Sequence, residues 1–336
     1  MSRFIDALKQ NNHDRPPIWI MRQAGRYLPQ YRELKKNRPL LELFRTPEMI
    51  VDITLLPIDI LDVDAAILFS DILTVLEGLG QGYHFEEGRG PVIHTPITTA
   101  SQLHTCTDCY QHIEEAITIL KQRLDRPLIG FAGAPFTVAS YLIEEARSPQ
   151  LKKTKELYFR EPKEFEKILD HITKATIAYL EVQIKAGVDA IQLFDSWAGA
   201  LSVYDFRICS LQPLAKIAKA LEKYSIPIIV FCRGSSLFAQ ELATLPISCI
   251  SIDFSADMGE IRRFVPNKAL QGNLDPMLLY GSYQKIQEGC DRILNAMEGD
   301  PGFIFNLGHG VLPDSDLNKV KYMVDYVKTR APCTAS

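Results

Sequence analysis

The 336-residue sequence has no run approaching the 18 or so uninterrupted apolar residues that a membrane-spanning helix needs. Its opening, Met1-Ser-Arg-Phe-Ile-Asp-Ala7, carries an acid where a secretory signal would need an apolar core, so no export is expected. Cysteine is scarce, and its count of seven is odd, which argues against a disulfide scaffold and for reduced thiols in a cytoplasmic protein. Positive charge is not in excess either, since the formal net charge is −4. A general nucleic-acid binder normally carries the opposite balance, so neither nucleic acid nor a membrane is an expected partner. Any anionic ligand must be met by cations gathered locally. Internal repeats, low-complexity tracts and Gly/Ser linkers are absent, as are a Walker loop, a Gly-x-Ser-x-Gly elbow and a His-Glu-x-x-His pair.

What is present is an ordinary globular composition, 46% hydrophobic and 23% charged, which excludes a disordered or collagen-like chain. Eight short apolar runs end in polar or turn-forming residues: Ile18–Met21, Ala65–Phe69, Leu128–Ala132, Ala190–Phe194, Ile226–Cys232, Cys249–Phe254, Ala269–Gly272 and Phe303–Leu307. Helical patterns separate them, near 40–61, 110–124, 205–224, 235–245, 277–298 and 315–329. The clearest runs from Pro162 to Ala186, with Pro162 suited to its first turn and Gly187 to its C-cap. Tyr83-His-Phe85 and Pro91-Val-Ile-His94 flank Glu86 to Gly90 and predict a β-hairpin.

Continuous apolar runs alternating with helices predict parallel strands covered on both faces. The expected fold is therefore α/β: one (β/α)8 TIM barrel over 1–336, a β-hairpin inserted after its second strand, and a frayed tail at 331–336. An open doubly wound sheet is the alternative, weakened because no Gly-x-Gly-x-x-Gly follows the first run.

Active sites of such barrels form at the C-terminal strand ends. Polar groups follow every run there: Arg22, Gln23 and Arg26; Ser70 and Asp71; Tyr141; Asp195 and Ser196; Arg233; Asp253; Asn273 and Asp275; Asn306 and His309. Arg22 and Arg26, four apart with Gly25 between, can address one carboxylate or phosphate ligand. With Arg32, Lys35, Lys36 and Arg38 they form a basic patch, although a solvated helix face explains the last four equally well. Asp71 suits a general base, a metal ligand, a fixed anion or a helix cap. His309, between two glycines, is expected in a tight, exposing turn. Tyr141 lies on an apolar helix face, where an aromatic usually packs in the core.

A further cluster, His104-Thr-Cys106-Thr-Asp-Cys109-Tyr-Gln-His112, offers soft ligands for zinc. Thr105 to Asp108 reads as a polar helix start outside the barrel, however, and no second Cys-x-x-Cys exists, so no metal site is expected.

Met21-Arg-Gln-Ala-Gly-Arg26 with Tyr27-Leu-Pro29, and Gly130-Phe-Ala-Gly-Ala-Pro-Phe-Thr137 leading to Tyr141, resemble the two signature segments of the uroporphyrinogen decarboxylase family. Phe69-Ser-Asp71-Ile-Leu73, Phe194-Asp-Ser-Trp-Ala-Gly199 and Asn306-Leu-Gly-His-Gly310 are similar to its active-site segments, in order along nearly the whole chain. The resemblance implies a cytoplasmic, homodimeric (β/α)8 barrel that uses no cofactor. It implies conversion of uroporphyrinogen III to coproporphyrinogen III, in haem biosynthesis, by decarboxylation of four acetate side chains. It also implies that Arg22 and Arg26 bind substrate carboxylates, with Gln23, Ala24 and Gly25 lending backbone contacts. Asp71 would accept hydrogen bonds from the pyrrole N–H groups. Tyr141, Ser196 and His309 would hold peripheral groups, with Phe194 packing on the rings; the proton donor stays open among Arg22, Tyr141, His309 and a substrate carboxyl.

Three other functions are weaker. A corrinoid-linked, zinc-dependent methyltransferase of the same superfamily would need a His-x-Cys site at the mouth, which His309-Gly-Val311 does not supply. A non-catalytic tetrapyrrole carrier would have no need of Asp71. A retaining glycosidase could pair Asp71 with Asp195 or Asp253 but leaves the arginines without a role.

Overall fold

The computed structural model describes residues 2–106, 108–145 and 148–330, so the expected tail at 331–336 lies outside the described residues. Among the described residues nine strands form: β1 (Ala66–Ile67), β2 (Tyr83–Glu86), β3 (Gly90–Ile93), β4 (Leu128–Gly133), β5 (Ala190–Asp195), β6 (Ile228–Cys232), β7 (Cys249–Ser251), β8 (Ala269–Leu274) and β9 (Phe303–Leu307). Seven make one parallel sheet in the order β1-β4-β5-β6-β7-β8-β9, with helices between them. Neighbours in space are thus neighbours in sequence, as repeated right-handed β-α-β units produce. Among the described residues no helix is long and apolar enough to cross a membrane.

The sheet curls. One core cluster takes Ala65, Ile129, Ala190, Ile229, Cys249, Ala269 and Ile304 from in or beside all seven strands, together with Trp19 and Met21. Residues from both ends of the strand order can meet in one cluster only if the sheet bends round on itself. Phe4, Ala7 and Leu8, from the helix Arg3–Leu8, close this cluster near the N-terminal strand ends. Trp19 Nε1 donates to Gln271 Oε1 at 2.8 Å, and Gln271 Nε2 donates onward to Ser251 Oγ at 2.9 Å, which satisfies these buried polar groups. The larger core fills the space between the strands and the surrounding helices.

The run at 18–21 is not a ladder strand: Ile18 makes only an isolated parallel bridge to Phe305. Phe305 N donates to Pro17 O at 2.9 Å on one side, and Asp64 N donates to Ile18 O at 2.7 Å on the other. Pro16 and Pro17 bring no N–H, the Ile18 amide is taken by the Asp64 carboxylate at 2.8 Å, and the Met21 amide is taken by Asn306 Oδ1 at 3.0 Å. Side chains thus replace the ladder partners. Arg15 clamps the same Asp64 with two 2.8 Å bonds.

The helix Pro162–Ala186 has the expected ends, and Gly187 takes the left-handed cap at φ 110°. The stretch at 40–61 divides instead into Leu40–Arg45 and Pro47–Leu61, because Pro47 holds Thr46 extended. The 277–298 pattern likewise opens as a short tight turn, Pro276–Tyr280, before the helix Tyr283–Ala296. Strands β2 and β3 pair antiparallel, from Tyr83 opposite Ile93 to Glu86 opposite Gly90, with Gly88 and Gly90 at positive φ in the turn. No helix starts at Thr105. His104 N and Cys106 N bond to Leu79 O and Gly78 O, which draws this stretch out straight, and the helix begins at Gln111. Thr107 lies outside the described residues.

Candidate active site

A cavity of about 420 Å³ brings together all ten residues expected at a site: Arg22, Gln23, Ala24, Gly25, Arg26, Asp71, Tyr141, Phe194, Ser196 and His309. Its size suits a small-molecule ligand.

The arginine segment is braced from beneath. Arg22 has φ 62°, a left-handed conformation uncommon for a side-chain-bearing residue. The Met21 amide bonds to Asn306 Oδ1, Met21 O accepts from Val311 N at 2.9 Å, and Gln23 N bonds to Ile20 O at 2.9 Å. A Cβ on Gly310 would lie 2.5 Å from Arg22 Cδ, so this glycine makes room for the Arg22 side chain. Gln23 is fully buried: its amide group bonds Ile20 N and Ala65 O, and its own carbonyl accepts from Tyr27 OH at 2.6 Å. With its N–H also bonded to Ile20 O, Gln23 holds the loop from within. Arg22 and Arg26 are exposed, and among the described residues neither forms an ion pair.

Asp71 follows β1. Its Oδ1 accepts from Leu73 N at 2.8 Å, a local turn rather than a helix cap, since Leu73 caps the next helix. Burial pushes its carboxyl up to about 6, against the opposing Leu73 bond and the Arg22 charge.

His309 is half-buried, not turned outward. Its flanking glycines serve packing: a Cβ on Gly308 would sit 2.3 Å from Phe254 N, and Gly310 lies under Arg22. Burial and the charges of Arg22 and Arg233 pull the imidazole down to about 4, so it is neutral at pH 7. Phe194 meets Phe131 edge-on at 5.5 Å and Phe231 at 6.1 Å, and Tyr141 meets Trp197 edge-on at 6.0 Å. The result is an aromatic lining with polar tips.

Not every strand end feeds the cavity. Asp195 is buried under it, accepting from Thr137 Oγ1 at 2.6 Å and from Ser210 Oγ, and burial raises its carboxyl. Asp253 accepts from Gly234 N at 2.8 Å, Asn273 donates to the Asp253 and Ala256 carbonyls, and Asn306 binds the Met21 amide. These groups anchor loops, which leaves Asp71 as the one carboxylate among the cavity's described lining and removes the glycosidase pair.

Residues without a sequence signal complete the wall. Tyr31, Leu40 and Phe44 come from the helices Pro29–Lys35 and Leu40–Arg45, and Phe85 and Pro91 come from the hairpin. Phe44 packs against Phe69 at 4.9 Å and Phe85 at 5.9 Å, so this side is apolar. The apolar character of the hairpin strands was the available hint; their placement is tertiary.

Cys109 and His112 open onto a second cavity, with Glu77 and Arg45. Among the described residues no three His, Cys, Asp or Glu side chains group as a metal site.

The family model described as uroporphyrinogen decarboxylase matches residues 1–330. The uroporphyrinogen decarboxylase of Protochlamydia amoebophila is 46% identical, covering 98% of this chain and 92% of its own. That of Desulfotalea psychrophila is 40% identical, covering 96% and 97%. Among solved structures, a methyltransferase from Methanosarcina mazei aligns with a TM-score of 0.82 over 97% of each chain at 22% identity, a likeness of fold. A B12-independent methionine synthase from Shewanella sp. W3-18-1 aligns at 0.57 and 12% identity, covering 83% of this chain and 86% of its own. On the full-length match of model and relatives, the chain belongs to the uroporphyrinogen decarboxylase family.

Proposed function

We propose that this chain decarboxylates the four acetate side chains of uroporphyrinogen III to methyl groups, giving coproporphyrinogen III. The observation that carries the reading is the cavity's charge layout among the described residues: one carboxylate, Asp71, against two arginines without an ion pair, and an aromatic lining. A ligand with a ring of N–H donors at its centre and carboxylates at its edge complements that layout. The family match along nearly the whole chain supports it.

Decarboxylation leaves an electron pair that needs a sink. Protonating a pyrrole carbon makes a cationic ring, which accepts the pair as carbon dioxide leaves, so the substrate does the work of a cofactor. Asp71, ionised, stabilises that cation from a largely buried position, where charges interact more strongly than in water. Arg22 and Arg26 hold acetate or propionate carboxylates, and Phe194 packs on the rings. Tyr141, Ser196 and His309 position peripheral groups; with its imidazole neutral at pH 7, His309 suits hydrogen bonding better than proton donation. The proton that finally reaches the side-chain carbon leaves a methyl group.

We infer further that 18–21 is the first of eight staves of one barrel spanning 1–336, with the hairpin inserted after the second, and that the protein works as a cytoplasmic homodimer. The backbone bonds of Pro17 and Trp19 to Phe305 on one side, and of Ile18 to Asp64 on the other, support the first point. The methyltransferase alternative is disfavoured by a cavity whose described lining holds one histidine and no cysteine. Anaerobic incubation with uroporphyrinogen III, then chromatography of the oxidised products, tests the function. Stepwise loss of four carboxyl groups is expected; binding without loss would leave a carrier.

A further inference from the structure

Away from the site, two cysteines differ from the other described ones. Cys209, Cys232, Cys249 and Cys290 are buried, whereas Cys106 is exposed and Cys109 is partly exposed. Burial pushes the Cys209 and Cys290 thiols up to about 12, and burial with the adjacent Cys106 thiol pushes Cys109 up to about 11, so access to solvent rather than thiolate content sets Cys106 and Cys109 apart. Accessible thiol chemistry among the described residues is thereby confined to Cys106 and Cys109.

The two are also held together. Cys109 Sγ lies 3.5 Å from the Cys106 carbonyl oxygen, which folds the second thiol back toward the first. The segment is fastened on both sides of the pair. His104 N and Cys106 N bond to Leu79 O at 3.2 Å and Gly78 O at 2.8 Å. Tyr110 OH accepts from Gly78 N at 3.1 Å and donates to Val75 O at 3.0 Å. Proximity set by an existing framework lowers the cost of closing a ring between the two sulfurs.

Access exists as well. Cys109 lines a cavity of about 460 Å³, separate from the first, with Arg45, Glu77 and His112. His112 Nε2 is 3.7 Å from the Glu77 carboxylate and has no hydrogen-bond partner among the described residues. At the rim the half-exposed Arg45 pairs with Glu77 at 2.7 Å, so the cavity wall carries charge of both signs. In a reducing cytosol a disulfide is rare as a scaffold and is more often a transient or sensing element.

We propose that Cys106 and Cys109 form a reversible dithiol–disulfide couple that exchanges with low-molecular-weight disulfides of the glutathione kind. The exposed Cys106 thiolate attacks one sulfur of oxidised glutathione, forming a mixed disulfide and releasing one glutathione thiolate. The Cys109 thiolate then attacks Cys106 Sγ, forming the internal bond and releasing the second glutathione thiolate. The two protons lost by the protein thiols end on the two glutathiones, and the two electrons lost by the protein reduce one disulfide.

The test uses the full chain, reduced and then equilibrated without oxygen in glutathione buffers of rising oxidised fraction, quenched by alkylation and digested with trypsin. The peptide spanning 90–121 contains both cysteines and no other. It is expected to become lighter by two hydrogen atoms, with no alkyl label, and to regain both labels after dithiothreitol. Two labels at every ratio, or a glutathione adduct that never resolves to the internal bond, overturns the proposal. C109S is expected to trap Cys106 as the glutathione adduct; an unmodified Cys106 in that variant overturns its role as the attacking thiol. None of these readouts depends on turnover, so they are independent of the decarboxylase reading.

Discussion

Asp71 carries opposite demands from stability and from chemistry. Its carboxyl is pushed up to about 6, so between roughly pH 4 and that value the folded chain binds a proton the unfolded chain has released. Stability from this group therefore falls as pH rises through that window, and above about 6 the full cost of a buried charge is present. Asp71→Asn keeps an oxygen for the Leu73 amide and removes the charge. Its thermal midpoint is expected to exceed that of the parent at pH 7, with the gain vanishing near pH 4. Turnover should move the other way, falling roughly 10²- to 10³-fold, since a fixed charge facing a developing ion is worth about that much. The parent's kcat/KM should drop about tenfold per unit below pH 6, with no such limb in the variant. Melting curves and rates across pH 4–8 check both; a variant that loses neither activity nor the acid limb removes Asp71 from the reaction.

The glycine segment after β9 and the arginine segment before β1 form one device. Gly310 leaves space for Arg22, Asn306 holds the Met21 amide, and Val311 holds the Met21 carbonyl. Gly310→Ala places a methyl group 2.5 Å from Arg22 Cδ and must move that side chain. Because Arg22 is exposed and can swing away, the fold should survive while KM rises roughly 10- to 100-fold, the worth of a charge-assisted hydrogen bond. Steady-state kinetics with a melting curve decides: a collapsed midpoint, or a KM that does not move, counts against this arrangement. The same pair shows what could be read beforehand. Both motifs stand out as glycine-flanked polar residues after apolar runs, yet their contact joins chain ends nearly 300 residues apart, and no spacing rule reports it. Strands β4 to β9 were legible because parallel strands buried on both faces are continuous apolar runs. The run at 18–21 looked the same, but Asp64 and Asn306 side chains took its ladder positions. The helix Pro29–Lys35 showed only as one of two readings of its charges, because it is short, charged and without a capping side chain.

Across the whole molecule, charge separates the interior of the mouth from the rest of the surface. The chain is net acidic at −4, yet Arg22, Arg26, Arg32, Lys35 and Lys36 have no ion pair among the described residues. Arg32 donates to the Arg26 carbonyl at 2.8 Å, and Tyr31 of the same helix lines the cavity, so this helix extends the arginine field outward from the site. The patch at 32–38 read from sequence as a basic patch or a solvated helix face; its place beside the mouth came from packing. An uncompensated field at a cavity rim raises the encounter rate of a polyanion, and salt screens it over about 10 Å at 0.1 M. For the proposed eight-carboxylate substrate, kcat/KM should fall several-fold from about 0.02 to 0.3 M salt, with kcat nearly constant because groups inside the cavity are screened less. Arg32→Gln, away from the reacting atoms, should flatten that dependence and leave kcat unchanged. Initial rates at low substrate across the salt series provide the measurement. An unchanged slope in the variant would assign the salt response to Arg22 and Arg26 alone, and the helix would then be a solvated face with no part in capture.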